Sequence, residues 1–470
     1  MQEAILNIVA KANAYLSDYI LIFLLVGVGL FYSIKTRFVQ VRCFGEGMKK
    51  VFGNIKLRGG KQEGGLSSFQ ALATAIAAQV GTGNIVGASG AILVGGPGAI
   101  FWMWIIAFLG MATIYAEAVL AQETKQRDAE GNIVAGGPVY YIRKAFPGGF
   151  GKFLSAFFSV ATILALGFMG SMVQSNSIAE SCNTALGIPG WVVGLILAVV
   201  SAFIFLGGIQ RIASVTEKMV PVMACLFLLG GLVVLIARIQ YVPQTIGMIF
   251  GYAFTPNALI GGGIGYALKT AISQGAKRGL FSNEAGMGST PHAHAMAKVA
   301  KPHDQGVVAM IGVFIDTFVV LTMTALVVIT CLYTGNGLLA GLEGEAYLAA
   351  TSGTAAVVSK TSAMQLAVGS VFGTNVGNIF VAICLLFFAY STILGWNFFG
   401  KVNVQYLTKN SKIAVAVYSV IAIVFIFLGT QLKNDLVWEL TDFFNYLMVL
   451  PNAIALFALS KLVTKNAKNK

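Results

Sequence analysis

Charge is scarce in this chain. Asp, Glu, Lys and Arg make up only 10% of its 470 residues, against 57% hydrophobic residues and a mean hydropathy of +0.80, which no ordinary water-soluble domain approaches. Cysteine is nearly as rare. The five, Cys43, Cys182, Cys225, Cys331 and Cys384, are scattered mostly through apolar stretches with no CxxC pair, so neither a disulfide framework nor a zinc site is expected. Only three histidines occur, His292, His294 and His303. Two residues apart, the first pair does not share a helix face, and no metal site is expected there. The chain also lacks a nucleophile motif, a P-loop and an HExxH, which leaves no signature of an enzyme and makes ATP-driven transport dependent on another chain.

What remains is a polytopic membrane protein. Windows long enough to cross about 30 Å of hydrocarbon number about eleven, at 18–34, 67–94, 98–122, 152–183, 190–208, 213–237, 262–296, 306–332, 376–399, 413–430 and 436–459. The first lacks a basic leader and a small-residue cleavage site and is read as a retained helix. The net charge of +13 invites a nucleic-acid partner, but the bases fall in short polar gaps between spans and form no basic face. Lys35, Arg37, Arg42, Lys49, Lys50, Lys56, Arg58 and Lys61 crowd the loop after the first span against Glu46 and Glu63, which puts that loop in the cytoplasm and the N-terminus outside. Alternation then places the later basic loops and the tail Lys461, Lys465, Lys468 and Lys470 inside. Region 333–375, with Lys360 as its only base, falls outside.

An internal repeat adds direction. Residues 71–76 read Ala-Leu-Ala-Thr-Ala-Ile and residues 267–272 read Ala-Leu-Lys-Thr-Ala-Ile, each leading to a glutamine, Gln79 or Gln274, and a glycine-rich polar stretch. Five spans separate the two, so the halves would lie inverted in the membrane, the pattern of inverted-repeat secondary transporters.

The first of these stretches, Gln79-Val80-Gly81-Thr82-Gly83-Asn84, sits at mid-span. Its glycines alone would equally serve close helix packing, but Gln79, Thr82 and Asn84 would each be costly against lipid. A broken helix bares carbonyls at the end of one half and N–H groups at the start of the next. A sodium ion suits the first and a carboxylate the second, so an amino acid zwitterion beside a cation fits both.

Residues 95–110, Gly-Gly-Pro-Gly-Ala-Ile-Phe-Trp-Met-Trp-Ile-Ile-Ala-Phe-Leu-Gly, form by themselves a tight turn and an interfacial pair, Trp102 and Trp104. As a string they resemble the signature of the sodium:alanine (alanine or glycine:cation) symporter family, as does Phe-Ser-Asn-Glu-Ala-Gly-Met-Gly-Ser at 281–289. The resemblance extends over nearly the whole chain. It implies an all-α integral membrane protein of LeuT-like fold: ten core helices in a five-plus-five inverted repeat, the first and sixth core helices broken, with one extra N-terminal helix. The units would be 1–66 (extra helix and cytoplasmic basic loop), 67–240 (core helices one to five), 241–460 (six to ten) and 461–470 (cytoplasmic tail). It further implies that the carbonyls of Ala77 and Val80 face a sodium site completed by the hydroxyls of Ser391 and Thr392. The amides of Gly81 to Gly83 would receive the substrate carboxylate, and Ser273-Gln274-Gly275 would lie where the sixth core helix unwinds and contact the substrate. Without the repeat and the resemblance, Ser391 and Thr392 read first as hydroxyls back-bonded within their helix. Ala271 stands where related transporters carry a hydroxyl for a second sodium, which counts against a second ion.

Trp396, four residues after Thr392 and on the same face, is read as a wall limiting substrate size. Lys277 and Arg278 are expected to snorkel or pair with an acid. Glu117, Glu284 and Asp316, acids in or near spans, are functional by default, as a gate or ion pair. The expected activity is sodium-coupled symport of alanine or glycine in a prokaryotic inner membrane, with sodium co-transported and no obligate protein partner evident. The alternative is a proton-coupled transporter of another small amino acid or amine, with Glu117 or Asp316 carrying the proton. A channel or receptor would need subunit rings or a signalling domain that the chain does not display.

Overall fold

The computed structural model describes residues 2–53, 65–256, 259, 263–353 and 356–468. Lys56, Arg58, Lys61, Glu63 and Lys470, used above for the charge bias, lie outside the described residues, as do the side chain of Lys468 and residue 262 of one window. In chain order, α1 (Gln2–Lys35) is followed by the short α2 (Phe44–Phe52), then by α3 (Ser68–Gln79) and α4 (Gly83–Gly95), α5 (Ala99–Thr124), α6 (Gly149–Leu186), α7 (Gly190–Phe205) and α8 (Gly208–Ala237). The second half holds α9 (Ile264–Asn283), α10 (Pro302–Leu332), α11 (Thr374–Leu407), α12 (Lys412–Gly429) and α13 (Asn434–Ala458). Among the described residues eight helices are long and apolar enough to cross a membrane, and α3 with α4 makes a ninth as a pair bent by 47°. Each of the eleven windows falls on one of these elements, the two others being the shorter α7 and the more polar α9.

Burial sorts them. Of the most apolar windows of α5 and α11, 72% of residues are buried, against 28% in α1 and 22% in α12, so the deep helices surround the bent pair while α1 lies at the periphery. Trp102 and Trp104 anchor to protein: their indole N–H groups donate to the Ala253 carbonyl at 3.0 Å and to Thr322 Oγ1 at 2.9 Å.

Local chemistry sets the break in α3 and α4. Ser67 caps α3 with a reciprocal box, its Oγ accepting from Gln70 N at 3.0 Å and its N–H donating to Gln70 Oε1 at 3.1 Å. The helix ends where Val80 turns extended (φ −79°, ψ 92°). Asn84, in the first turn of the restarted helix, reaches back across the break, its Oδ1 accepting from Gly81 N at 2.9 Å. Gly81 and Gly83 are needed for close approach: a Cβ on Gly83 would stand 2.9 Å from Phe281 Cδ1, and one on Gly81 would collide with Thr392 Oγ1.

The second break corrects the sequence reading. Helix α9 runs unbroken through Ser273-Gln274-Gly275 and unwinds at Glu284 (φ +59°), with Gly286 (φ +95°) and Gly288 (φ +79°) following before a short helix at Pro291–Ala295. The polarity taken for unwinding is a helical stripe. Lys269, Ser273 and Lys277, four apart, all face Asp18 of α1, at 3.1, 2.6 and 3.5 Å, while Gly275 lets the helix approach Trp102, whose Cβ would lie 2.6 Å from an added Cβ. The chain just ahead of α3 and the chain just after the short helix Pro291–Ala295 are joined, Leu66 N donating to Met296 O and Lys298 N to Leu66 O, both at 2.9 Å.

Candidate functional site

The broken stretch of α3 and α4 is wholly buried and met by four other helices. Helix α11 comes closest. Gly395 packs on Ala78, an added Cβ standing 2.9 Å from Ala78 Cβ, and this brings Ser391 and Thr392 to the end of α3. Ser391 Oγ lies 3.2 Å from Ala77 O, and Thr392 Oγ1 lies 3.0 Å from Ala77 O and 3.4 Å from Val80 O. Both hydroxyls also reach Phe388 O one turn back, at 2.9 and 3.1 Å. The four residues assigned to sodium by resemblance therefore meet at one point, and the back-bonding read as an alternative is present as well.

On the amide side, Thr82 donates through both its N–H (3.0 Å) and its hydroxyl to Gln174 Oε1 of α6. Gln174 Nε2 is buried with no partner among the described residues. Gln174 was missed by sequence reasoning, although the polar run Ser171-Met172-Val173-Gln174-Ser175-Asn176-Ser177 inside an apolar span was a readable signal. Gln79 Nε2 donates to Asn283 O at 2.7 Å and ties the end of α3 to the end of α9, leaving its own Oε1 buried with no partner among the described residues. Asn84 reaches α10, donating to Asp316 Oδ1 at 2.7 Å. The amides of Gly81 and Thr82 are thus held by side-chain oxygens of Asn84 and Gln174.

Trp396 is buried beside this site, its Nε1 donating to Glu284 Oε1 at 2.5 Å and its ring edge-on to Phe281 with centroids 5.8 Å apart. Residues 273–275 are elsewhere. Ser273 binds Asp18, Gly275 packs on α5, and Gln274 lines a separate recess of about 160 Å³ with Val86, Gly90, Arg278, Lys360 and Trp438. Of its lining, Trp438 lies 4.7 Å from the Phe281 ring and under Arg278, also at 4.7 Å. Arg278 is paired with Asp442 at 2.5 Å, and Lys277 lies 3.5 Å from Asp18, so both bases find acids.

The ion pair expected of the three buried acids is not seen: among the described residues none of them is salt-bridged. Glu117 instead accepts the amides of Gly286 and Gly288 at 3.2 and 3.0 Å and Asn452 Nδ2 at 2.6 Å, and so holds the second unwound segment. Glu284 is held by Ser289 and Trp396. Asp316 takes Asn84, Ser282 (2.9 Å) and Thr317 (2.9 Å). His292 and His294 are buried and bound to Asn403 (2.9 Å) and Gln305 (2.8 Å).

The sequence profile described as the sodium:alanine symporter family matches residues 2–469. The sodium/alanine symporter AgcS of Methanococcus maripaludis is 39% identical over 463 residues, 98% of this chain and 96% of that protein. The putative sodium/proton-dependent alanine carrier protein YrbD of Bacillus subtilis is 39% identical over 459 residues, 97% of this chain and 90% of the relative. Among solved structures, MhsT in complex with L-phenylalanine superimposes with a TM-score of 0.58 at 13% identity, covering 87% of this chain and 97% of that one. The fold is LeuT-like.

Proposed function

This chain belongs to the sodium:alanine symporter family, and on that premise we propose that it couples inward movement of sodium to that of a small neutral amino acid, alanine or glycine, by alternating access. It is an integral membrane transporter of the cell membrane and not an enzyme. In the proposal the N-terminus is outside and the C-terminus cytoplasmic.

One observation carries the reading: two main-chain carbonyls and two hydroxyls, from two helices and all buried, converge within 3.0–3.4 Å. If Ser391 and Thr392 send their protons back to Phe388 O, four oxygen lone-pair groups face one another with no donor between them. That arrangement repels itself unless a cation lies at its centre. A hard cation with oxygen ligands at about 2.4 Å holds adjacent ligands roughly 3.4 Å apart, which matches these spacings. Sodium is cargo here. The zwitterion would lie against the amide half of the break, taking its carboxylate to Gln174 Nε2, which has no partner among the described residues, while Thr82 N–H holds the other end of the same side-chain amide and Trp396 limits the side chain.

One sodium with one zwitterion moves one net positive charge, so 100 mV contributes about 2.3 kcal/mol and a tenfold sodium gradient about 1.4 kcal/mol. Together they support accumulation of several hundredfold, roughly, by the same arithmetic. The test is labelled alanine uptake into proteoliposomes. Uptake that follows an inward sodium gradient and an inside-negative potential is expected; equal uptake without sodium refutes the coupling. The proton-coupled alternative is favoured by Asp316, fully buried, without an ion-pair partner among the described residues and one hydrogen bond from the break through Asn84. Uptake driven by a pH gradient in sodium-free buffer and lost in Asp316→Asn would establish that alternative.

A further inference from the structure

Far along the sequence from the broken helices, three metal-ligating side chains of different chemistry come together. Cys43 lies just ahead of α2, Glu46 in its first turn, and His303 in the first turn of α10; one ligand atom from each lies within 4.8 Å of the others. Cys43 and His303 are buried, with 0% and 6% of their surface exposed, and Glu46 is half-buried. His303 Nε2 stands 3.4 Å from Glu46 Oε1. Tetrahedral ligands at about 2.0–2.3 Å from one ion are roughly 3.3–3.7 Å apart, so this pair is already at coordination distance.

A second observation comes from the other side of the ring. The Tyr115 hydroxyl of α5, itself buried, lies 2.7 Å from His303 Nδ1. A ligating imidazole commonly binds an outer partner through its second nitrogen, which orients the ring toward the ion. With Nδ1 engaged by Tyr115, it is Nε2 that faces Glu46 and Cys43. The scaffold is firm: Lys50 of α2 pairs with Asp304 at 3.0 Å, and α2 meets α10 so closely that a Cβ on Gly47 would lie 2.8 Å from Val307 O.

From this geometry we infer that Cys43, Glu46 and His303 form a binding site for a divalent transition ion of the zinc class. One thiolate, one carboxylate and one imidazole, borderline-soft together, suit Zn²⁺ better than the hard alkali or alkaline-earth ions, and three protein ligands leave a fourth position for water. The ion would staple the connector that follows α1 to the first turn of α10. The site is independent of the sodium and substrate positions.

The test is a Co²⁺ titration of the purified full-length protein. A thiolate-to-cobalt charge-transfer band saturating at one ion per chain, with intense tetrahedral ligand-field bands and displacement by Zn²⁺, is expected. Cys43→Ser should abolish the band. Glu46→Gln and His303→Gln should each weaken binding at least tenfold, and Tyr115→Phe, which removes no ligand, by about ten- to a hundredfold. Zn²⁺ should also raise the melting temperature of the wild type and not of His303→Gln. No thiolate band, or a band that survives Cys43→Ser and so belongs to another thiol such as the exposed Cys225, overturns the inference. Should Cys43→Ser fail to fold, the Glu46→Gln and Tyr115→Phe affinities decide: values equal to wild type reject the site.

Discussion

Replacing Thr392 by valine is the sharpest perturbation of the oxygen cluster, because it removes one hydroxyl and keeps the shape. The lost oxygen faces Ala77 O at 3.0 Å and Val80 O at 3.4 Å. A contact to a charged partner is worth about 1.5–3 kcal/mol, so sodium half-saturation of alanine uptake should rise about ten- to a hundredfold. Ser391→Ala, which removes an oxygen facing only Ala77 O at 3.2 Å, should shift it by less. Because both hydroxyls share the Ala77 carbonyl, the double variant should fall short of the product of the two. A binding readout that does not depend on transport comes from melting. Sodium at a hundred times its dissociation constant stabilises by about 2.7 kcal/mol, and a hundredfold weaker site retains about 0.4 kcal/mol of that at the same concentration. If the hydroxyls serve only their own helix through Phe388 O, Thr392→Val changes stability slightly and leaves both sodium responses where they were. A half-saturation within twofold of wild type, with an unchanged sodium-dependent melting shift, refutes the cluster as an ion site.

Gly81→Ala should abolish uptake while the protein still folds: the new Cβ collides with Thr392 Oγ1 and stands 3.1 Å from Gln174 Oε1, an overpacking cost of about 1–3 kcal/mol seen as a lowered melting temperature and lost sodium stabilisation. Arg278→Met leaves Asp442 buried without its cation and should destabilise by about 3–5 kcal/mol; adding Asp442→Asn should restore part of the loss in the same melting assay. Lys125, just past the end of α5, is pushed down to about 8, first by burial and then by Arg127. Its folded form therefore holds fewer protons than the unfolded chain between pH 8 and its ordinary value of 10.5, so stability rises with pH across that window. The melting difference between Lys125→Met and wild type should move in favour of wild type from pH 8 to 10.5 and stay flat below pH 7.5; no pH dependence of the difference refutes the assignment.

Legibility from sequence followed how local the cause was. The first break was readable because Gln79, Thr82 and Asn84 have no business in lipid and two glycines stand among them, all within six residues. The second was misplaced by about three helical turns. Polar residues at 269, 273 and 277 signal an interruption only if nothing nearby receives them, and Asp18 of α1 does. The glycine and glutamate that actually unwind the chain, at 284–288, lay inside the run that resembles the family signature, where a resemblance carries no conformation. For the acids the sequence offered residue type without surroundings. Glu117 accepts two backbone amides of a segment 169 and 171 residues away.

The amino acids alone determined the membrane class, the windows on which the long helices fall and the interrupted helix, because hydropathy, glycine and unpaired polarity act within one turn or one span. Only the packed molecule decided that Gln174 completes the amide side, that α9 stays helical through residue 275, and that Cys43, Glu46 and His303 share one point. Each of those depends on which side chain a neighbouring helix presents, and that is set by helix rotation and depth in the assembled bundle, which no single span encodes.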